Sequence, residues 1–150
     1  MTPQDACRIT NQICRLAPVI PVLVIEDLSI AAPLAHALIK GGLPTLEVTL
    51  RTPAALGAIR AMAQLPGCTI GAGTLLTLQD VNNAKAAGAV FGVSPGATDG
   101  LLQSCEETEL PLLPGTATAT EVMRLFERGY TIQKFFPAEA AGGAPALKAI

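Results

Sequence analysis

A chain of 150 residues, half of them hydrophobic and 15% charged, is long enough to bury one substantial core. Its net charge of -2 and its scattered Lys and Arg residues leave no electrostatic footprint for nucleic acid. With no Trp, 4 Phe and 1 Tyr, it also lacks a base-stacking platform and a membrane-interface belt.

From the start of the chain, Met1 to Arg15 carries Asp5, Arg8 and Arg15 and has no continuous apolar run of the kind a secretion signal needs, so a short N-terminal helix is expected. The longest apolar stretch, Leu16 to Ile25, is interrupted by Pro18 and Pro21 and is far too short to span a bilayer. From there a unit recurs: a short apolar strand, a turn rich in Gly, Pro, Thr or Ser, and a helix rich in Ala and Leu. Strands are expected at Val19 to Ile25, Thr45 to Leu50, Thr69 to Ala72, Val90 to Ser94, Leu112 to Pro114 and Thr131 to Phe135. Helices are expected between them at Leu28 to Lys40, Thr52 to Gln64, Thr77 to Ala87, Thr98 to Glu107 and Ala119 to Arg128. Gly41, Gly88 and Gly129 each follow a helix end, where a left-handed residue is preferred.

Strict alternation of strand and helix implies parallel strands joined by right-handed crossovers, in an open sheet or a closed barrel. The second strand favours the barrel. Leu46, Val48 and Leu50 alternate with Thr45, Glu47, Thr49 and Arg51, giving one apolar and one polar face, whereas an open parallel sheet covered by helices would be apolar on both. Gly71-Ala72-Gly73 has the opening spacing of a dinucleotide loop but no third glycine before the helix, and reads better as a tight turn with close backbone approach. The expected fold is therefore an α/β (β/α)8 barrel, with residues 1–150 forming one domain that supplies about six strand-helix units. A further helix opens after Gly142-Gly143 and runs to Ile150 without a cap, so a C-terminally incomplete barrel is expected.

Among the polar residues, Lys134 is the anomaly, because it sits in an apolar and aromatic stretch between Ile132 and Phe136. An ammonium there must find a partner, reach water at the strand end, or give up its proton, and a neutral lysine can attack a ketone to form a Schiff base. Glu47 and Arg51 share a strand face with an even spacing, as an internal salt bridge or as a proton-transfer carboxylate and a fork for a substrate carboxylate. His36 reads as a surface or packing residue, Tyr130 as a turn anchor, and Glu106, Glu107 and Glu109 as an exposed charged face. Cys7, Cys14, Cys68 and Cys105 have no paired spacing and, with His36 the lone histidine, make no zinc pattern; they fit a reducing cytoplasm.

Five motifs in order, Leu46-Glu47-Val48-Thr49-Leu50-Arg51-Thr52, Gly71-Ala72-Gly73-Thr74, Val93-Ser94-Pro95-Gly96, Leu113-Pro114-Gly115 and Lys134-Phe135-Phe136-Pro137-Ala138-Glu139, resemble the 2-keto-3-deoxy-6-phosphogluconate aldolases. Members of that family often also act as 4-hydroxy-2-oxoglutarate aldolases. The resemblance implies a class I aldolase without metal or other cofactor, acting on a 2-keto acid. It makes Lys134 the Schiff-base residue and Glu47 the general acid and base. Arg51 and Thr74 become binders of the pyruvate carboxylate, and Pro95 and Phe136 become pocket lining. It further implies a cytoplasmic homotrimer, while composition and charge point to neither nucleic-acid nor membrane partners. The family's phosphate site lies after strands seven and eight, which the six expected units do not include. Two rival readings stand beside this one: a barrel that handles a phosphosugar without a covalent intermediate, and an inactive barrel fragment serving only assembly.

Overall fold

The computed structural model describes residues 1–150. The chain begins with α1 (Pro3–Cys14), whose start is capped by Thr2, its hydroxyl oxygen accepting the Asp5 N–H at 3.1 Å. Strand β1 (Val22–Leu23) follows, then a 3-10 turn (Leu28–Ile30) that runs into α2 (Ala31–Lys40). Next come β2 (Thr45–Thr49), α3 (Ala55–Met62), β3 (Thr69–Gly73), α4 (Leu78–Ala86), β4 (Phe91–Val93) and α5 (Asp99–Glu107). The chain continues with β5 (Leu112–Leu113), β6 (Gly115–Thr116), α6 (Ala119–Arg128), β7 (Lys134–Phe135) and α7 (Gly143–Ala149). Capping boxes start α4, through Thr77 and Asp80, and α6, through Thr118 and Glu121.

All strand pairs are parallel, in the order β1-β2-β3-β4-β5, with β6 paired to β7. Strands β5 and β6 are two halves of one extended run broken at Pro114, which has no N–H to give. Its carbonyl still accepts the Lys134 N–H at 2.8 Å, so the hydrogen-bonded array passes without interruption from the first strand position to the sixth.

The sheet curls. Lys134 on β7 lies four strand positions from Glu47 on β2, about 19 Å apart in a flat sheet. Yet Lys134 Nζ stands 3.8 Å from Glu47 Oε1, which requires the sheet to bend round its inner face as a (β/α) barrel does. The polar face of β2 is the inner one. Leu46 and Val48 point outward and are wholly buried with Ala31, Ala35, Ala58, Ile59 and Met62 of the surrounding helices. A smaller inner cluster joins Ile13 and Ile9 of α1 to Phe91, Val93 and Leu113. The N-terminal helix thus fills the inner face beneath the strand ends.

Several boundaries differ from the sequence expectation, each for a local reason. Strand β1 has two ladder residues rather than Val19 to Ile25, because Pro18 and Pro21 cannot donate. Threonine hydroxyls hold its continuation instead: Thr49 Oγ1 donates to the Leu23 carbonyl at 3.2 Å, and Thr52 Oγ1 donates to that of Ile25. Strand β7 starts at Lys134, not Thr131, because the Thr131 N–H is taken by Cys7 Sγ at 3.2 Å. The end of α2 is turned by Gly42, at φ +88°, while Gly41 stays near helical geometry at φ -75°. Gly88 and Gly129 do take the expected left-handed conformation.

Glu106 departs from expectation, and Tyr130, whose N–H donates to the Leu125 carbonyl at 2.8 Å, anchors the turn after α6. Tyr130 is wholly buried and donates its hydroxyl to Glu106 Oε1 at 3.1 Å. Both Glu106 oxygens accept from the Arg128 guanidinium, at 3.0 and 3.1 Å, so Glu106 ties α5 to the end of α6 rather than lying on a solvated face. No helix is long and apolar enough to cross a membrane.

Candidate active site

The C-terminal ends of the strands surround a cavity of ≈ 310 Å³, near the lower end of small-molecule sites. Glu47 reaches it from within β2 and Arg51 from just beyond. Thr74 follows β3, Pro95 follows β4, Lys134 opens β7 and Phe136 follows it. All six residues singled out in the sequence line this one cavity, joined by Val22 and Thr49, which sequence reasoning left out. Thr49 was legible in principle, as the next inward position after Glu47. Val22 was not, since its place beside Glu47 depends on the register between β1 and β2.

Lys134 combines two of the options open to a lysine in such surroundings. Its side chain is 25% exposed, and its ammonium is 3.8 Å from Glu47 Oε1 and 4.9 Å from the centre of the Phe136 ring. Glu47 is only 4% exposed. Burial pushes its carboxyl above the ordinary carboxylate range, and attraction to Lys134 and to Arg51 opposes that rise without cancelling it. The pair therefore joins an amine and a carboxylate with an unusual appetite for a proton. Arg51 is exposed at the rim, its fork free of any ion pair within the chain.

Thr74 sits at φ +65°, where a β-branched side chain is rarely found. Its backbone turns the chain out of β3, and the next amide, Leu75 N–H, donates to the Val93 carbonyl at 3.1 Å. Gly71 and Gly73 are not turn residues as expected but members of β3, facing the interior of the curl. The missing side chains leave room for large neighbours. A Cβ on Gly71 would lie 2.3 Å from the Phe91 ring, and one on Gly73 would lie 2.0 Å from Glu47 Oε1.

Two other cavities, of ≈ 340 and ≈ 370 Å³, lie between the start of α5 and the length of α6 and beside the loops after β3 and β4. They are somewhat larger, but neither is lined by a lysine, so chemistry and not volume singles out the site. No three His, Cys, Asp or Glu side chains converge as a metal-ligand set.

A parallel α/β sheet curled round a lysine-containing mouth places the chain in the class of (β/α) barrels. The sequence model described as "Aldolase: KDPG and KHG aldolase" matches residues 10–150, and the chain belongs to that aldolase family. It is 51% identical over 140 residues to the 2-dehydro-3-deoxy-phosphogluconate aldolase of Zymomonas mobilis, covering 93% of this chain and 67% of that protein. It is 48% identical over 141 residues to the KHG/KDPG aldolase of Escherichia coli K12, covering 93% and 66%. Among solved structures, the Zymomonas mobilis aldolase with 3-phosphoglycerate superposes with a TM-score of 0.92 at 50% identity, covering 95% of this chain and 68% of the other. The KDPG aldolase of Legionella pneumophila, with pyruvate captured as a covalent carbinolamine, gives 0.87 at 48% identity, covering 91% and 67%. The chain thus spans about two thirds of the length of the relatives it matches. The family read from five ordered motifs is the family the comparisons return.

Proposed function

We propose that this protein acts as a class I aldolase, cleaving 2-keto-3-deoxy-6-phosphogluconate to pyruvate and glyceraldehyde 3-phosphate through an imine on Lys134. 4-Hydroxy-2-oxoglutarate, giving pyruvate and glyoxylate, is a second substrate of the same class. The observation that carries the reading is the 3.8 Å approach of Lys134 Nζ to Glu47 Oε1 in a cavity that also holds Arg51 and Thr74. The covalent pyruvate carbinolamine of the Legionella relative supports it.

In this scheme Glu47, whose buried carboxyl binds a proton more readily than usual, accepts one from the Lys134 ammonium. The free amine attacks the ketone carbon, and Glu47 returns the proton to the carbinolamine hydroxyl, which leaves as water and gives a protonated imine. The Arg51 fork and the Thr74 hydroxyl hold the neighbouring carboxylate. Glu47, again a carboxylate, removes the proton of the hydroxyl on carbon 4. The bond between carbons 3 and 4 then breaks, and its electron pair moves into the imine to form an enamine. The aldehyde leaves, Glu47 gives the proton it has taken to carbon 3, and water releases pyruvate and restores the amine. Pro95 and Phe136 wall the site against bulk water. A cytoplasmic homotrimer belongs to the same reading on family resemblance, with the particle mass from light scattering as its check.

A second reading draws on the Phe136 ring, whose centre lies 4.9 Å from the ammonium as a cation–π partner. Lys134 would then clamp a phosphorylated substrate electrostatically. Borohydride separates the two. With pyruvate and borohydride, the aldolase reading expects a reduced pyruvyl adduct on Lys134 and none in Lys134→Ala. An adduct on Lys40, Lys85 or Lys148, or turnover surviving in Lys134→Ala, removes it.

A further inference from the structure

We propose that Gly73 is a positioning residue for Glu47: the space left by its missing side chain holds the carboxylate at its working distance from Lys134. The inference rests on the aldolase reading and goes beyond the residues that touch substrate. The three heavy atoms nearest to a Cβ built on Gly73 all belong to Glu47: Oε1 at 2.0 Å, Cδ at 2.7 Å and Cγ at 2.8 Å. No carbon can approach so closely, so the Glu47 side chain occupies the place a Gly73 side chain would take.

The other interior or close-packed glycines differ in what they accommodate. Gly71 makes room for the Phe91 ring, Gly92 for Leu75, and Gly115 for the backbone of Ser94 and Pro95, all parts of the scaffold. At Gly73 the neighbour is the reacting carboxylate itself. The backbone sets no bar to a side chain, because Gly73 lies in β3 outside the left-handed region, and its carbonyl accepts the Leu50 N–H at 2.8 Å whatever its side chain. An added methyl group therefore acts through Glu47. Since Glu47 is 4% exposed, the carboxylate has little room to yield except toward the cavity, and any such movement alters its 3.8 Å separation from Lys134 Nζ.

The test is Gly73→Ala in the full chain, read by two reactions on pyruvate: borohydride trapping at Lys134, and exchange of the methyl hydrogens in heavy water. Trapping needs only the free amine, which a displaced carboxylate can still release, whereas exchange also needs that carboxylate held at carbon 3. The expected result is trapping within about twofold of the parent and exchange lower by at least about tenfold, with the acid limb of its pH profile displaced. Glu47→Asp, which withdraws the carboxylate from the added methyl, should lower exchange alone but raise it about threefold or more in the Gly73→Ala background. If Gly73→Ala fails to fold and the double variant folds, Glu47 is still identified as the displaced group. Parent-like exchange in Gly73→Ala overturns the proposal, as does a parallel loss of trapping and exchange that Glu47→Asp does not relieve. Absence of trapping in the parent chain strikes the aldolase reading itself and is distinguishable from either.

Discussion

At Glu47, two effects of opposite sign meet, and their balance has a measurable consequence. Burial favours the neutral acid, while Lys134 and Arg51 favour the carboxylate; burial wins, and the carboxyl titrates above its ordinary 4.5. The folded state thus holds this proton more tightly than the unfolded chain does. The resulting stabilisation is complete below 4.5 and is lost as pH rises through the raised folded value. Glu47→Gln abolishes that titration, so the fall in stability over this window should be shallower in the variant. Urea midpoints collected across the window check it, and parallel curves would show that attraction to Lys134 and Arg51 cancels the burial effect. The same variant should lower turnover by a larger factor than formation of the borohydride adduct, and equal loss of both would mean that Glu47 only positions the lysine. Lys134 itself illustrates what a sequence conveys about a residue. Its apolar neighbours marked it as exceptional, but whether it pairs or reaches water depends on Glu47 arriving from a strand 87 residues earlier in the chain (134 − 47).

Among the elements, the helices were the more legible. Helix α6 matches its expected limits, and α4 and α5 start one residue later than expected because Thr77 and Thr98 stand outside as caps. The strands were less so, since a ladder depends on partners that one strand's sequence does not name. Thus β1 and β7 are each shortened to two residues by proline and by a competing thiol. Alternation in β2 nevertheless gave its inner face correctly, because a period of two is local. The connection from β3 to α4 carries information that no period reveals, namely the left-handed Thr74. A conformation of this kind costs about 1 to 3 kcal/mol and is retained where the side chain is needed. Thr74→Gly should relieve it, leaving the melting temperature unchanged or higher after the glycine entropy cost is counted. It should also raise the Michaelis constant for the keto acid through loss of the hydroxyl. A lower melting temperature with unaltered kinetics would mean that Thr74 serves the fold alone.

For the molecule as a whole, the barrel class and the gathering of Glu47, Arg51 and Lys134 at one mouth followed from alternation and from the polar face of β2, whereas the distances across the site did not. The curl becomes evident only when residues from the second and sixth strand positions meet. The Cys7 thiol provides another long-range link. It accepts the Thr131 N–H at 3.2 Å and donates to the Gly129 carbonyl at 3.3 Å, bonding α1 to the segment that leads into Lys134, 124 residues later. Seen as a folding problem, this is a loop whose closure entropy must be met late, after the local strand-helix units can already have formed. Replacing Cys7 by Val removes both bonds at a cost of about 1 kcal/mol or somewhat more, and the loss should appear mainly as faster unfolding. Stopped-flow rates would show it, and an equal slowing of refolding would place the contact early instead. During synthesis, then, the first helix waits for a distant partner: Lys134 settles into register only after the segment 124 residues beyond Cys7 has been made.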